Sequence, residues 1–156
     1  MPKGAGMGVA EQELRALRRA RVRKELAELE YHRQLVVAVA RTSQRQVAAE
    51  LGLSQPSVSS ALRAARRVPV PREGQRSASP YEVCQRYAAG ELDREEAVAQ
   101  LVAWPYVPAG EMRTSPGDDL MVVPEGTVQD LFRAERAGLI DVGMCEAVLD
   151  ALYGDA

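Results

Sequence analysis

The chain has 156 residues, 46% hydrophobic and 4% aromatic, enough for two small domains with cores of Ala, Val and Leu, and such a composition favours an all-α fold. The formal charge of −2 hides a division: residues 1–76 carry 15 Lys and Arg against 7 Asp and Glu, and residues 77–156 carry 5 against 15. One histidine, two cysteines and no long apolar run argue against histidine-based catalysis, a zinc site, a disulfide framework or a membrane span, so the expectation is a cytoplasmic non-enzyme without cofactor or metal.

In chain order, residues 1–8 read as a disordered tail. Residues 9–40 read as one long helix, or as two joined near Tyr31 and His32. Leu14, Leu17, Val22, Leu26 and Leu29 leave a thin apolar stripe among Arg15, Arg18, Arg19, Arg21, Arg23 and Lys24. That pattern suits a dimerisation arm, a basic helix that tracks a DNA backbone, or a solvated helix packed on its own domain. The continuous apolar run at 35–40, LVVAVA, suits the first helix of a three-helix domain.

Residues 42–67, TSQRQVAAELGLSQPSVSSALRAARR, predict two short helices. Val47, Ala48 and Leu51 recur at helical spacing, and Val58, Ala61 and Leu62 resume it beyond Gly52 and Leu53. Thr42 or Ser43 can cap the first helix, Gly52 can end it left-handed, and Ser54 can cap the second with Pro56 in its first turn. Ala48 is small where two steeply crossed helices approach each other.

These residues resemble the helix-turn-helix motif of transcriptional regulators of the Cro and repressor type, over about one-sixth of the chain. With Gln44 as the motif's first position, its apolar sites fall on Val47, Leu51, Leu53 and Val58, its small residue on Ala48 and its glycine on Gly52. The resemblance implies that the second helix enters the major groove of double-stranded DNA, with Ser54, Gln55, Ser59 and Ser60 near base edges and Gln44 and Arg63 near phosphates. Arg45, Arg66 and Arg67 are further phosphate candidates beside it. Gln55 can donate to and accept from an adenine edge together; Pro56 can touch a thymine methyl or simply start the helix.

Residues 68–80, VPVPREGQRSASP, interrupt every period and read as a linker. Residues 81–156 then form an acidic helical domain for partner binding or oligomerisation. Helices are expected at 81–89, 93–103, 127–137 and 141–153, as two hairpins that weakly echo each other. Ala89, Gly90 and Asp93 align with Ala137, Gly138 and Asp141, and Glu96 to Val98 align with Glu146 to Val148 after a two-residue insertion. Between the hairpins, residues 104–126 are irregular, with a short strand conceivable at 120–123. Trp104 and Tyr106 either anchor this loop on the core or face a partner. Cys84 and Cys145 read as small core residues, and the adjacent carboxylates Glu95 with Glu96 and Asp118 with Asp119 do not converge as a catalytic pair would.

Together these features describe a sequence-specific DNA-binding transcriptional regulator, a repressor acting as a homodimer. The layout is similar to that of antitoxins of toxin–antitoxin pairs, which implies that the acidic half binds a basic toxin. The alternatives are an ordinary or prophage repressor with a self-associating C-terminal domain, and a partition or chromosome-organising adaptor.

Overall fold

The computed structural model describes residues 8–108 and 126–154, which form seven α-helices and, among the described residues, no strand. The fold is all-α. Contacts divide the chain into two compact units, Met1–Val70 and Pro71–Ala156. The expected strand at 120–123 and the pair Asp118 and Asp119 lie outside the described residues, as does the expected tail apart from Gly8, whose carbonyl accepts from Glu11 and Gln12.

The first unit is α1 (Val9–Arg41), α2 (Gln44–Leu51) and α3 (Gln55–Ala65). α1 is a single helix of 33 residues, without the joint that Tyr31 and His32 suggest. The reason is compositional: neither Gly nor Pro interrupts residues 9–41, which are rich in Ala, Leu, Arg and Glu. It stops at Thr42, whose extended backbone turns the chain while its hydroxyl donates to the Ala38 carbonyl at 2.7 Å.

Ser43 then caps α2 reciprocally with Gln46: the Gln46 N–H donates to the Ser43 hydroxyl, and the Ser43 N–H donates to the Gln46 side chain. α2 ends at Gly52, whose φ of +64° is left-handed, and the Leu53 N–H returns to the Ala48 carbonyl at 2.9 Å. Ser54 opens α3 by accepting from the Ser57 N–H.

The three helices close on one small core. Leu35 of α1, Val47 and Ala48 of α2, and Val58, Leu62 and Ala65 of α3 are buried together, with Val36, Ala38, Val39 and Ala61 packed at the edge. Leu51 and Leu53, read as apolar motif sites, are instead 44% and 43% exposed. Leu51 lies one turn past Val47, at the end of α2, on the margin of an open groove beside α1; Leu53 follows the left-handed residue that turns the chain away. After α3, the Arg33 guanidinium donates twice to the Pro69 carbonyl, at 3.1 and 2.9 Å, tying the segment that leaves α3 to α1.

The second unit begins inside the stretch read as a linker. Ser77 and Pro80 are buried, and Ser79 caps α4 (Pro80–Ala88), so these residues belong to the helical body. α5 (Arg94–Val102), α6 (Gln129–Arg136) and α7 (Val142–Tyr153) complete it: α4 packs on α5 and α6, and α7 packs on both of the latter. Val83, Cys84, Ala97, Leu101, Leu131, Met144 and Val148 fill the centre.

Its two hairpins share their construction at a constant spacing of 48 positions, from Gly90 (φ +84°) to Gly138 (φ +72°). The Glu91 N–H bonds the Arg86 carbonyl as the Leu139 N–H bonds Ala134, and Asp93 and Asp141 cap the following helices. At the same spacing, Glu82 accepts from the Ala78 N–H and Asp130 from the Gly126 N–H, both acids being buried. The structural match therefore needs no insertion. Glu96 corresponds to Met144 rather than to Glu146.

Candidate nucleic-acid interface

α3 is amphipathic in a particular way. One side, Val58, Leu62 and Ala65, is buried, which fixes the helix on α1 and α2 and leaves the opposite side outward. On that outward side Pro56, Ser60 and Arg63 are exposed; Gln55, in line with Val58 and Leu62, is exposed because it opens the helix, and Arg66 at the C-cap and Arg67 just beyond it are exposed too. Amide, hydroxyl and guanidinium groups thus stand on a rigid rod, and the first turn, at the positive end of the helix dipole, is open to solvent.

The other expected site residues are more committed. Ser54 is a cap, and its hydroxyl lies 2.8 Å from that of Ser57. Ser59 is half-buried and donates to the Gln44 side-chain oxygen at 2.7 Å, joining the start of α2 to the middle of α3. This bond holds Gln44 with its oxygen occupied, which leaves the amide N–H groups to donate outward. Arg45 is exposed beside it. The sequence reading overlooked Ser57, although its place three residues after an N-cap serine is a signal for involvement in the cap.

The electrostatics of the face follow from the same residues. Between Glu30 and Glu73 the only acidic side chain is Glu50, and Glu50 lines a groove against α1 rather than the outward side of α3. Arg45, Arg63, Arg66 and Arg67 therefore act without a carboxylate among the residues of α3 or its turn. Such a surface attracts phosphate.

In the second unit, Trp104 is half-buried and the Tyr106 hydroxyl donates to the Leu101 carbonyl at 2.7 Å, while the Val107 N–H reaches the Gly126 carbonyl. Burial pushes the Cys84 thiol up to about 12 and the Cys145 thiol up to about 11, so both are protonated at neutral pH. Several carboxylates are occupied as well. Glu82 and Glu91 clamp the buried Arg86 at 2.8 and 2.7 Å, Asp93 with Glu96 forms a capping box, and Asp141 both caps α7 and pairs with Arg94. No group of three His, Cys, Asp or Glu among the described residues is arranged to hold a metal ion, and no helix among them is long and apolar enough to cross a membrane.

Comparisons with protein-family models, with curated proteins and with solved structures find no match to this chain.

Proposed function

We propose that the chain is a sequence-specific double-stranded-DNA-binding transcriptional regulator, in which α3 enters the major groove as the second helix does in the helix-turn-helix regulators that residues 42–67 resemble. One observation carries the reading: the outward side of α3 is polar, cationic, free of carboxylates and held rigid by a buried opposite side. A helix of this kind matches the width of the groove.

Roles follow from position and chemistry. Gln55, exposed in the first turn, is the base reader, with Ser60 and Pro56 as weaker neighbours. Gln44, steadied by Ser59, and Arg45, Arg63, Arg66 and Arg67 grip phosphates on either side. Ser54 and Ser59 act mainly by holding the face in place. Repression, rather than activation, is the simplest outcome of occupying an operator.

The toxin-binding role belongs to the acidic unit, where burial, caps and internal ion pairs already account for Glu82, Glu91, Asp93, Glu96, Asp130 and Asp141. The regulator reading stands without it.

The test is fluorescence anisotropy on a duplex that the full-length chain selects. Gln55→Ala is expected to lower affinity for that duplex by about 1 to 3 kcal/mol and to leave random duplex unchanged. Arg63→Ala is expected to weaken both duplexes and to flatten the salt dependence by about one phosphate's worth. If neither substitution alters binding, α3 is not the reading helix.

A further inference from the structure

We propose that α1 is the surface on which two copies of this chain pair, antiparallel and centred at the level of residue 26, with the Leu14–Leu17 edge of each copy seated in an apolar groove of the other. The inference rests on α1 and on that groove, not on the DNA reading.

The groove lies where the end of α1 meets α2. It has a volume of about 430 Å³, with Leu35, Ala38 and Val47 along its base and Tyr31, Glu50 and Leu51 at its margins. Tyr31 and Leu51 are 40% and 44% exposed, so apolar surface is left open there. Further upstream on the same helix, Leu14 and Leu17 are 65% and 66% exposed.

These two features share one helix face. Leu14, Leu17, Arg21, Lys24, Glu28 and Tyr31 follow one another at alternating steps of three and four, and the next two steps reach Leu35 and Ala38 in the groove. That is the seam of a heptad repeat. From Leu14 to Tyr31 every seam residue is exposed, whereas Val22 and Leu26, on another side of the helix, are buried.

Orientation is decided by what each seam residue would meet. In an antiparallel pair centred at residue 26, Leu17 meets the other copy's Leu35 and Leu14 its Ala38, so each groove is filled. Lys24 meets Glu28, and Glu28 meets Lys24, which places opposite charges together twice. Arg21 meets the Tyr31 ring, a cation–π partner. A parallel pair instead sets Lys24 on Lys24 and Glu28 on Glu28, and leaves both grooves open. The same patch serves both copies, as a two-fold interface requires. The overlap from residue 14 to 38 runs about 36 Å along the helix, room for more than three heptads. Polar residues in the middle of the seam fix register and direction at some expense of stability.

Two measurements on the full-length chain in DNA-free buffer test the pairing. Light scattering is expected to give twice the chain mass of 17.0 kDa, and Leu14→Glu with Leu17→Glu is expected to give the single mass with unchanged helix content by circular dichroism. Both leucines are exposed, so the change does not disturb the core. Under mild oxidation, a mixture of Arg21→Cys and Tyr31→Cys chains is expected to form the mixed disulfide, while neither variant alone crosslinks, since like positions lie about 15 Å apart along the axis. Native Cys84 and Cys145 are buried and do not compete. A monomeric wild type, a dimer that survives the double glutamate change, or self-crosslinking of Arg21→Cys overturns the proposal. Because DNA is absent throughout, a dimer that binds no DNA would count against α3 as a reader and leave this pairing intact.

Discussion

Asp130 has no exposed surface, and its Oδ1 has no hydrogen-bond partner among the described residues; its other oxygen accepts from the Gly126 N–H at 3.1 Å, and Arg133 stands 3.8 Å away. Burial pushes this carboxyl above its ordinary value, against the pull of the Gly126 N–H and of the Arg133 charge. The folded chain therefore keeps the proton to a higher pH than the unfolded chain does. Over the interval between the two values the fold binds more protons, so the contribution of Asp130 to stability is lost as pH rises through it. Asp130→Asn keeps an acceptor for Gly126 and removes the titration. In urea unfolding over a pH series, the variant is expected to gain on the wild type as pH rises from the ordinary carboxylate range toward neutrality. A difference that stays flat would mean that this carboxyl is not shifted.

Among the elements, the turn between α2 and α3 sets the angle at which α3 is offered. Its Gly52 is left-handed, yet a Cβ placed there would meet nothing within 4 Å. The requirement for glycine is thus purely one of backbone conformation. Gly52→Ala is expected to destabilise the first unit by about 1 to 2 kcal/mol in urea unfolding, with Gly52→Asn milder, and no loss would show that the turn tolerates a side chain.

This turn was legible in the sequence because each of its signals is local: Thr42 or Ser43 as the cap (the fold uses Ser43), Gly52, and Ser54 with Pro56 act within a few residues. The hairpin caps at Asp93 and Asp141 were legible for the same reason. What depends on distant partners was not. Leu51 and Leu53 have the spacing of core residues, but their exposure follows from where α2 ends and the chain turns at Gly52. The engagement of Ser59 with Gln44 crosses fifteen positions, and no local pattern announces it. The repeat in the second unit was visible at its glycines but misaligned beyond them, since Glu96 and Glu146 match as letters while Asp93 and Asp141 match as caps.

At the scale of the whole molecule, charge and fold divide at nearly the same place. The basic residues 1–76 include all three helices of the first unit, and the acidic residues 77–156 include all four of the second. A net of +8 in the first segment and −10 in the second gives a chain with little overall charge, so the proposed DNA binding requires local arrangement rather than bulk attraction. Glu82, Glu91, Asp93, Glu96, Asp130 and Asp141 are built into ion pairs, caps and buried hydrogen bonds of the second unit, which relates this part of its composition to its own stability. The arginines of α3 have no such internal use, and their exposure is what the DNA reading explains.

The most direct measurement is selection by the full-length chain from a pool of random DNA duplexes, followed by sequencing of what it retains. A reading helix at α3 predicts enrichment of one short motif, lost when Gln55→Ala replaces the wild type. Retention without any preferred sequence, or a motif unchanged by that substitution, contradicts it.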